Sequence, residues 1–157
     1  MIKKVFDTVV LIDILVECQF SELLRLWSKN PRYELWMPAE INREIIGSAR
    51  NELDALIKEK AINIFPLVDK NELIPIQRRK PKLSLNDCSI YYHCSKIPDA
   101  IALTNDKRLR QFLELNKIVI HGTKGIYEKV VRDKSYPIKE IEQKFAKIKQ
   151  DRRTFPL

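Results

Sequence analysis

Four acids, Asp7, Glu44, Asp87 and Asp106, are the side chains of this sequence whose neighbours could give them chemistry to do. Asp7 closes a short strand-like run, Lys4 to Phe6. Asp106 closes another, Ala100 to Leu103, through Thr104 and Asn105. Asp87 heads a segment in which Ile90, Tyr91, Cys94 and Ile97 recur at three- and four-residue steps, so it sits at the start of a helix and on its apolar side. Taken singly, each has an ordinary explanation, because an acid at a helix start caps orphan N–H groups and suits the helix dipole. Only the set is informative. Carboxylates gathered at one place raise one another's pKa unless a cation lies among them, and oxygen-only donors select hard ions, Mg²⁺ or Mn²⁺. One or two such ions activate water and hold a phosphodiester in line.

The elements that must position these acids alternate between strand and helix. Lys4 to Phe6 reads as a strand, and Val9 to Val16 as a buried helix after the cap residue Thr8. Phe20 to Ser28 is an amphipathic helix and Tyr33 to Met37 a strand. Pro38 then opens a helix with Ile41, Glu44, Ile45 and Ser48 on its inner face. Asn51 to Lys60 continues as helix, and Ile62 to Val68 as a strand that Pro66 pushes towards an edge. Residues 69 to 82 read as irregular and end in a basic run. Beyond Asp106 come a helix to Asn116, a strand from Lys117 to His121, a helix after Gly122-Thr123, and a basic helix from Pro137 to about Gln150. Short connections between alternating elements imply right-handed crossovers. The expected fold is a doubly wound α/β domain spanning 1–157, with a mainly parallel sheet, helices on both faces, and the C-terminal helix as part of it. Asp7 and Asp106 then lie at strand carboxyl ends, and Glu44 and Asp87 in the first turns of helices. In open sheets that edge is where sites form.

Composition narrows the partners. At 157 residues the chain can bury about two-thirds of the surface that it exposes unfolded, so neither metal nor disulfide is needed to fold it. Its 29 Lys and Arg against 21 Asp and Glu give +8, a balance that attracts a polyanion. A basic exterior around an acidic centre points to nucleic-acid hydrolysis rather than binding alone. Three cysteines without a C-x-x-C spacing and two distant histidines argue against a zinc site and for a reducing, cytoplasmic setting. Asp7 and Asp13 interrupt the apolar run that could mimic a secretion signal, and no stretch is long and uncharged enough to cross a membrane.

The residues resemble the PIN-domain ribonucleases, a family that includes the VapC-type toxins of toxin–antitoxin pairs. Val5 to Ile12 is similar to the family's opening motif, Met37 to Glu44 to its second, Leu85-Asn86-Asp87 to its third and Leu103 to Leu109 to its fourth. His121 to Ile126 is similar to the Gly-Thr-x-Gly turn after the last strand. The resemblance implies that Asp7, Glu44, Asp87 and Asp106 are catalytic and hold Mg²⁺ or Mn²⁺. Thr104 and Asn105 would orient Asp106 or touch phosphate, and Thr8 would support a ligand. It also implies RNA as substrate, a homodimer and, for a toxin, an antitoxin protein as partner. Two positions depart from the pattern. Val9 stands where many members carry Asn or Ser, and Glu40 competes with Glu44 from the same helical face.

Arg78, Arg79, Lys80 and Lys82 read equally as a solvated loop and as guides for RNA phosphates. Tyr91, Tyr92, His93 and His121 read as structural. Two functions of different class follow: a metal-dependent endoribonuclease, or a catalytically inactive PIN-like module that binds RNA or protein. A phospho-acceptor receiver domain is set aside, since it needs adjacent acids after the first strand and a third-strand Asp.

Overall fold

The computed structural model describes residues 1–133 and 137–149, with side chains described as far as Ala146. Five strands form one wholly parallel sheet in the order β3-β2-β1-β4-β5: β1 (Ile2–Phe6), β2 (Tyr33–Pro38), β3 (Asn63–Phe65), β4 (Ile101–Leu103) and β5 (Val119–His121). The chain builds outward from β1 through β2 to β3, then crosses back to lay β4 on the other side of β1. The crevice between the carboxyl ends of β1 and β4 is therefore the topological switch point, where open α/β sheets place their sites. Two backbone bonds carry the ladder just past the strand ends: Asp7 N–H to Leu103 O, 2.9 Å, and Thr104 N–H to His121 O, 3.0 Å.

Among the described residues, seven helices connect the strands, α1 (Thr8–Ile12), α2 (Ser21–Ser28), α3 (Ala39–Glu44), α4 (Ser48–Lys58), α5 (Lys70–Arg79), α6 (Leu85–Lys96) and α7 (Lys107–Leu115), and two follow the last strand, α8 (Thr123–Asp133) and α9 (Ile138–Lys149). The core is continuous. Val5 and Phe6 of β1, Leu35 and Met37 of β2 and Ala102 and Leu103 of β4 meet Val10, Leu23, Leu53, Ile90 and Leu109 from the helices, all essentially solvent-free. Each large aliphatic or aromatic group there contributes about 1.5–3 kcal/mol by leaving water. Ile141 and Phe145 bring α9 onto this core, Phe145 edge-on to Phe20 with ring centroids 6.0 Å apart. Gln150, where the expected last helix ends, lies outside the described residues.

Three elements differ from the sequence reading. Residues 70–79 are a helix, not irregular chain: Asp69 caps it by accepting the Asn71 N–H at 2.9 Å, Leu73 is buried, and Pro75 is carried on its exposed side. The helix after Pro38 ends at Glu44. Gly47 at φ 69° turns the chain, and a new helix starts at Ser48, so Glu44 and Ser48 are exposed rather than on an inner stripe. Beyond Ile12, α1 runs into a π-helical turn, Asp13–Glu17, closed by Cys18 N–H to Asp13 O at 2.8 Å. That geometry recurs at functional sites.

Candidate metal centre

A chain of hydrogen bonds runs from Asp106 through Asp7 and Glu44 to Asn86, the chain neighbour of Asp87, along the switch-point rim. Asp7 follows β1 and is buried; its Oδ1 accepts the Thr8 N–H and its Oδ2 the Thr104 hydroxyl, each at 2.7 Å. Thr104 Oγ1 in turn accepts the Asp106 N–H at 3.1 Å, and Asp106 caps α7 by taking the Leu109 N–H at 2.9 Å. On the other side of Asp7, the Thr8 hydroxyl donates to Glu44, and Glu44 also accepts the Asn86 side-chain N–H. Asn86 adjoins Asp87. The path therefore runs Asp106, Thr104, Asp7, Thr8, Glu44, Asn86, Asp87. Its members come from the ends of β1 and β4, the last residue of α3 and the first turn of α6.

Local rules fix each position. Ser84 and Asp87 form a capping box at the head of α6, Asp87 N–H to Ser84 Oγ and Ser84 N–H to Asp87 Oδ2, both 3.0 Å. Asp106 is an N-cap of the ordinary kind. Glu44 ends α3, whereas Glu40 occupies its first turn, which corrects the expected placing of Glu44 at a helix start.

Electrostatically, Asp7 and Asp87 each feel the other acids of the rim. Burial pushes Asp7 up to about 6, against the bonds from Thr104 and Thr8, and Asp87 and Glu44 push it further. Asp87 is also raised, by burial first and then by Asp106 and Glu44, with Ser84 opposing. A hard cation would relieve this mutual repulsion, and the donors are all oxygen. Among the described residues, however, no three His, Cys, Asp or Glu side chains are grouped closely enough to hold an ion as they stand. The caps and bridges just described hold the carboxylates along the rim rather than around one point. Joint ligation requires side-chain rotation, for which the exposed Glu44 and Asp106 have room.

The Thr8 hydroxyl donates to Glu44, and Thr104 holds the side chain of Asp7 but only the backbone of Asp106. Asn105 does not face the acids. Its amide donates to Asp13 at 2.9 Å and to Thr123 Oγ1 at 2.8 Å and accepts the Thr123 N–H at 2.9 Å, while the Thr123 hydroxyl donates to Asp13 at 2.9 Å. This buried knot ties the π turn to β4 and α8 behind the rim. Gly122 permits it: a Cβ there would lie 2.6 Å from Asn105 Oδ1. Asp13 was legible only as an acid in an apolar run, which is itself a sign of a buried, partnered charge. Asn86 had no such signal.

Among the basic residues, Arg79 is committed within the protein, donating to Tyr91 Oη at 3.1 Å and Asn116 Oδ1 at 2.9 Å and lying over the Phe112 ring. Arg78 and Lys82 are exposed and Lys80 is half-buried. Cys18, Cys88 and Cys94 are free, buried and pushed up to about 11 or 12 by burial, so they are inert thiols. His93 packs against Phe65 with ring centroids 4.1 Å apart, and burial pulls it down to about 4. No helix among the described residues is long and apolar enough to cross a membrane. In comparisons with protein-family models and with curated proteins, the chain matches none.

Proposed function

We propose that this α/β domain is a PIN-type endoribonuclease that hydrolyses RNA at a carboxylate-held Mg²⁺ or Mn²⁺ centre. The observation that carries the reading is the hydrogen-bonded path linking Asp106, Asp7 and Glu44 to Asn86, beside Asp87, at the switch point of a parallel sheet, in a chain of net charge +8. Asp7, Glu44, Asp87 and Asp106 would hold the ion, which supplies an activated water and stabilises the departing oxygen. Asp7 is the fixed point, since both of its oxygens are already oriented by Thr8 and Thr104. Glu44 is the adjustable one, held only by side-chain donors at an exposed helix end. Thr104 couples the two strand ends, so Asp7 and Asp106 keep their separation as a substrate arrives. The basic surface draws in the polyanion that the acids alone would repel. A toxin role would be marked by a small DNA-binding protein in the neighbouring reading frame.

The spread of the carboxylates along the rim supports a second reading, a PIN-like module that binds RNA without cutting it. Incubating a structured RNA with Mn²⁺ and either the protein or its Asp87→Asn variant separates the two. Cleavage by the first alone is the expected result, with a loss of at least about a hundredfold in the variant. Equal cleavage by both, or none by either, would defeat the enzyme reading.

A further inference from the structure

Glu44 is the acid of the rim that its own element holds least firmly. It is the last residue of α3, a helix of six residues, and at Ile45 the backbone is already extended, so no further turn follows to fix it. The last carbonyls of a helix have no partner within it, and so short a helix is marginal without support from outside.

Arg50 supplies that support. Its Nη1 donates to Asn42 O at 2.6 Å and, more weakly, to Ile45 O at 3.4 Å, while its Nη2 donates to Asn42 Oδ1 at 2.7 Å. One guanidinium therefore binds the chain both before and after Glu44. Asp54, one turn further along α4, orients it by accepting from Nη2 at 2.7 Å and from Nε at 3.0 Å. Arg50 stands in the first turn of α4, where a cation opposes the helix dipole, whereas at the carboxyl end of α3 the same charge is favoured. Its charge thus serves α3 rather than the helix that carries it. The side chain of Glu44, once its backbone is placed, is met by Thr8 and Asn86.

We propose that Arg50 is a positioning residue of the metal centre: by latching the end of α3 it sets Glu44 at the rim, within reach of the ion. The inference rests on the reading of Asp7, Glu44, Asp87 and Asp106 as ion ligands. Arg50 itself touches neither ion nor RNA and acts only through Glu44. The task needs a planar fork, because the backbone and side-chain oxygens of Asn42 and the Ile45 carbonyl are met by one group. A lysine ammonium is a point charge on a flexible stem and holds such a set less rigidly.

The test titrates Mn²⁺ into the metal-free full chain by isothermal calorimetry. Arg50→Ala should weaken Mn²⁺ binding about 10–100-fold, the usual cost of losing a group that orients a ligand, and Arg50→Lys should recover only part of that loss. Asp54→Ala leaves the bonds to α3 in place and should stay within about twofold of the wild type. Glu44→Ala removes the ligand itself. Adding Arg50→Ala to it should cost nothing more, since a residue that acts through Glu44 then has nothing left to position. Losses that add would overturn the inference, because they would place the effect of Arg50 elsewhere. So would an Arg50→Ala variant that melts lower yet binds Mn²⁺ as tightly as the wild type, the result for a latch that only stabilises the fold. If Arg50→Ala does not fold, Arg50→Lys carries the same comparison with Glu44→Ala. Mn²⁺ binding that depends on Arg50 through Glu44, without RNA cleavage, would uphold the inference while the nuclease reading fails, and a wild type that binds no Mn²⁺ would defeat both.

Discussion

Asp7 concentrates the tension of the site in one residue. Its carboxyl is held near 6 when folded, above its ordinary value of 3.8, because burial disfavours the anion and Asp87 and Glu44 repel it. Below about 4 both folded and unfolded chains are protonated there, and the contribution to stability is complete. As pH rises through 6 the folded state must ionise a buried group, and that contribution is lost, on the order of 2–3 kcal/mol. His93 works in the opposite sense. Its folded value near 4 lies below the ordinary 6.5, so it destabilises the fold in acid and ceases to do so as pH rises. The two effects overlap, so the informative quantity is the difference between the protein and Asp7→Asn, in which His93 cancels. Without divalent ions, thermal melts should show the variant gaining on the wild type as pH rises from about 4 to 7. Added Mn²⁺ should then raise the wild-type melting temperature and not the variant's, since a ligand bound only by the folded state stabilises it by mass action. A difference independent of pH would mean that Asp7 does not titrate as placed.

At the scale of elements, what could be read from sequence followed the strength of each local signal. The β1 and β4 strands ending in Asp7 and Thr104-Asn105-Asp106, and the helix that Asp87 heads, combine an apolar run with a capping acid, and they stand where the pattern put them. The failures came where two signals conflict. Pro75, whose missing N–H and clash with the carbonyl four residues back cost a helix interior about 3 kcal/mol, and a charged neighbourhood hid α5, although Asp69 caps it and Leu73 is buried. The apolar period of α3 carries visually through Ile45 to Ser48, yet the backbone is already extended at Ile45 and turns at Gly47, which leaves Glu44 at an exposed helix end by the rim. The Asp13, Asn105 and Thr123 knot needs contacts across some hundred positions, which no local pattern encodes. The two glycines predict costs of different origin. Gly47→Ala meets open space but must hold φ 69° and ψ −144°, backbone that only glycine adopts readily, at about 1–3 kcal/mol. Gly122→Ala drives a methyl into Asn105 Oδ1 and must disturb bonds that satisfy a buried acid, about 2–4 kcal/mol. Urea denaturation should show the Gly122→Ala loss; one below about 1 kcal/mol would mean that the knot yields easily.

For the molecule as a whole, the question is how a chain that gathers its acids on one rim presents its cations. The excess of 29 basic over 21 acidic residues, with four of the acids on the rim, leaves the remaining surface more positive than the net charge alone conveys. RNA binding should therefore weaken steeply with salt, because each neutralised phosphate releases a counterion; for single strands log K falls with log salt by about 0.7 per contact. Which cations make those contacts is open to the same measurement. Arg79 is held by Tyr91, Asn116 and the Phe112 ring, so it serves to tie α5 to α6 and α7. Arg78 and Lys82 are exposed on the approach to Ser84, where the α6 capping box sets Asp87. If they guide RNA towards the rim, replacing both by Ala should flatten the salt slope by about 1.4, two contacts' worth, and weaken binding of all sequences alike. The melting temperature should hardly change, since neither side chain is buried. An unaltered slope would assign them to solvent and leave the phosphate contacts to other cations of the surface.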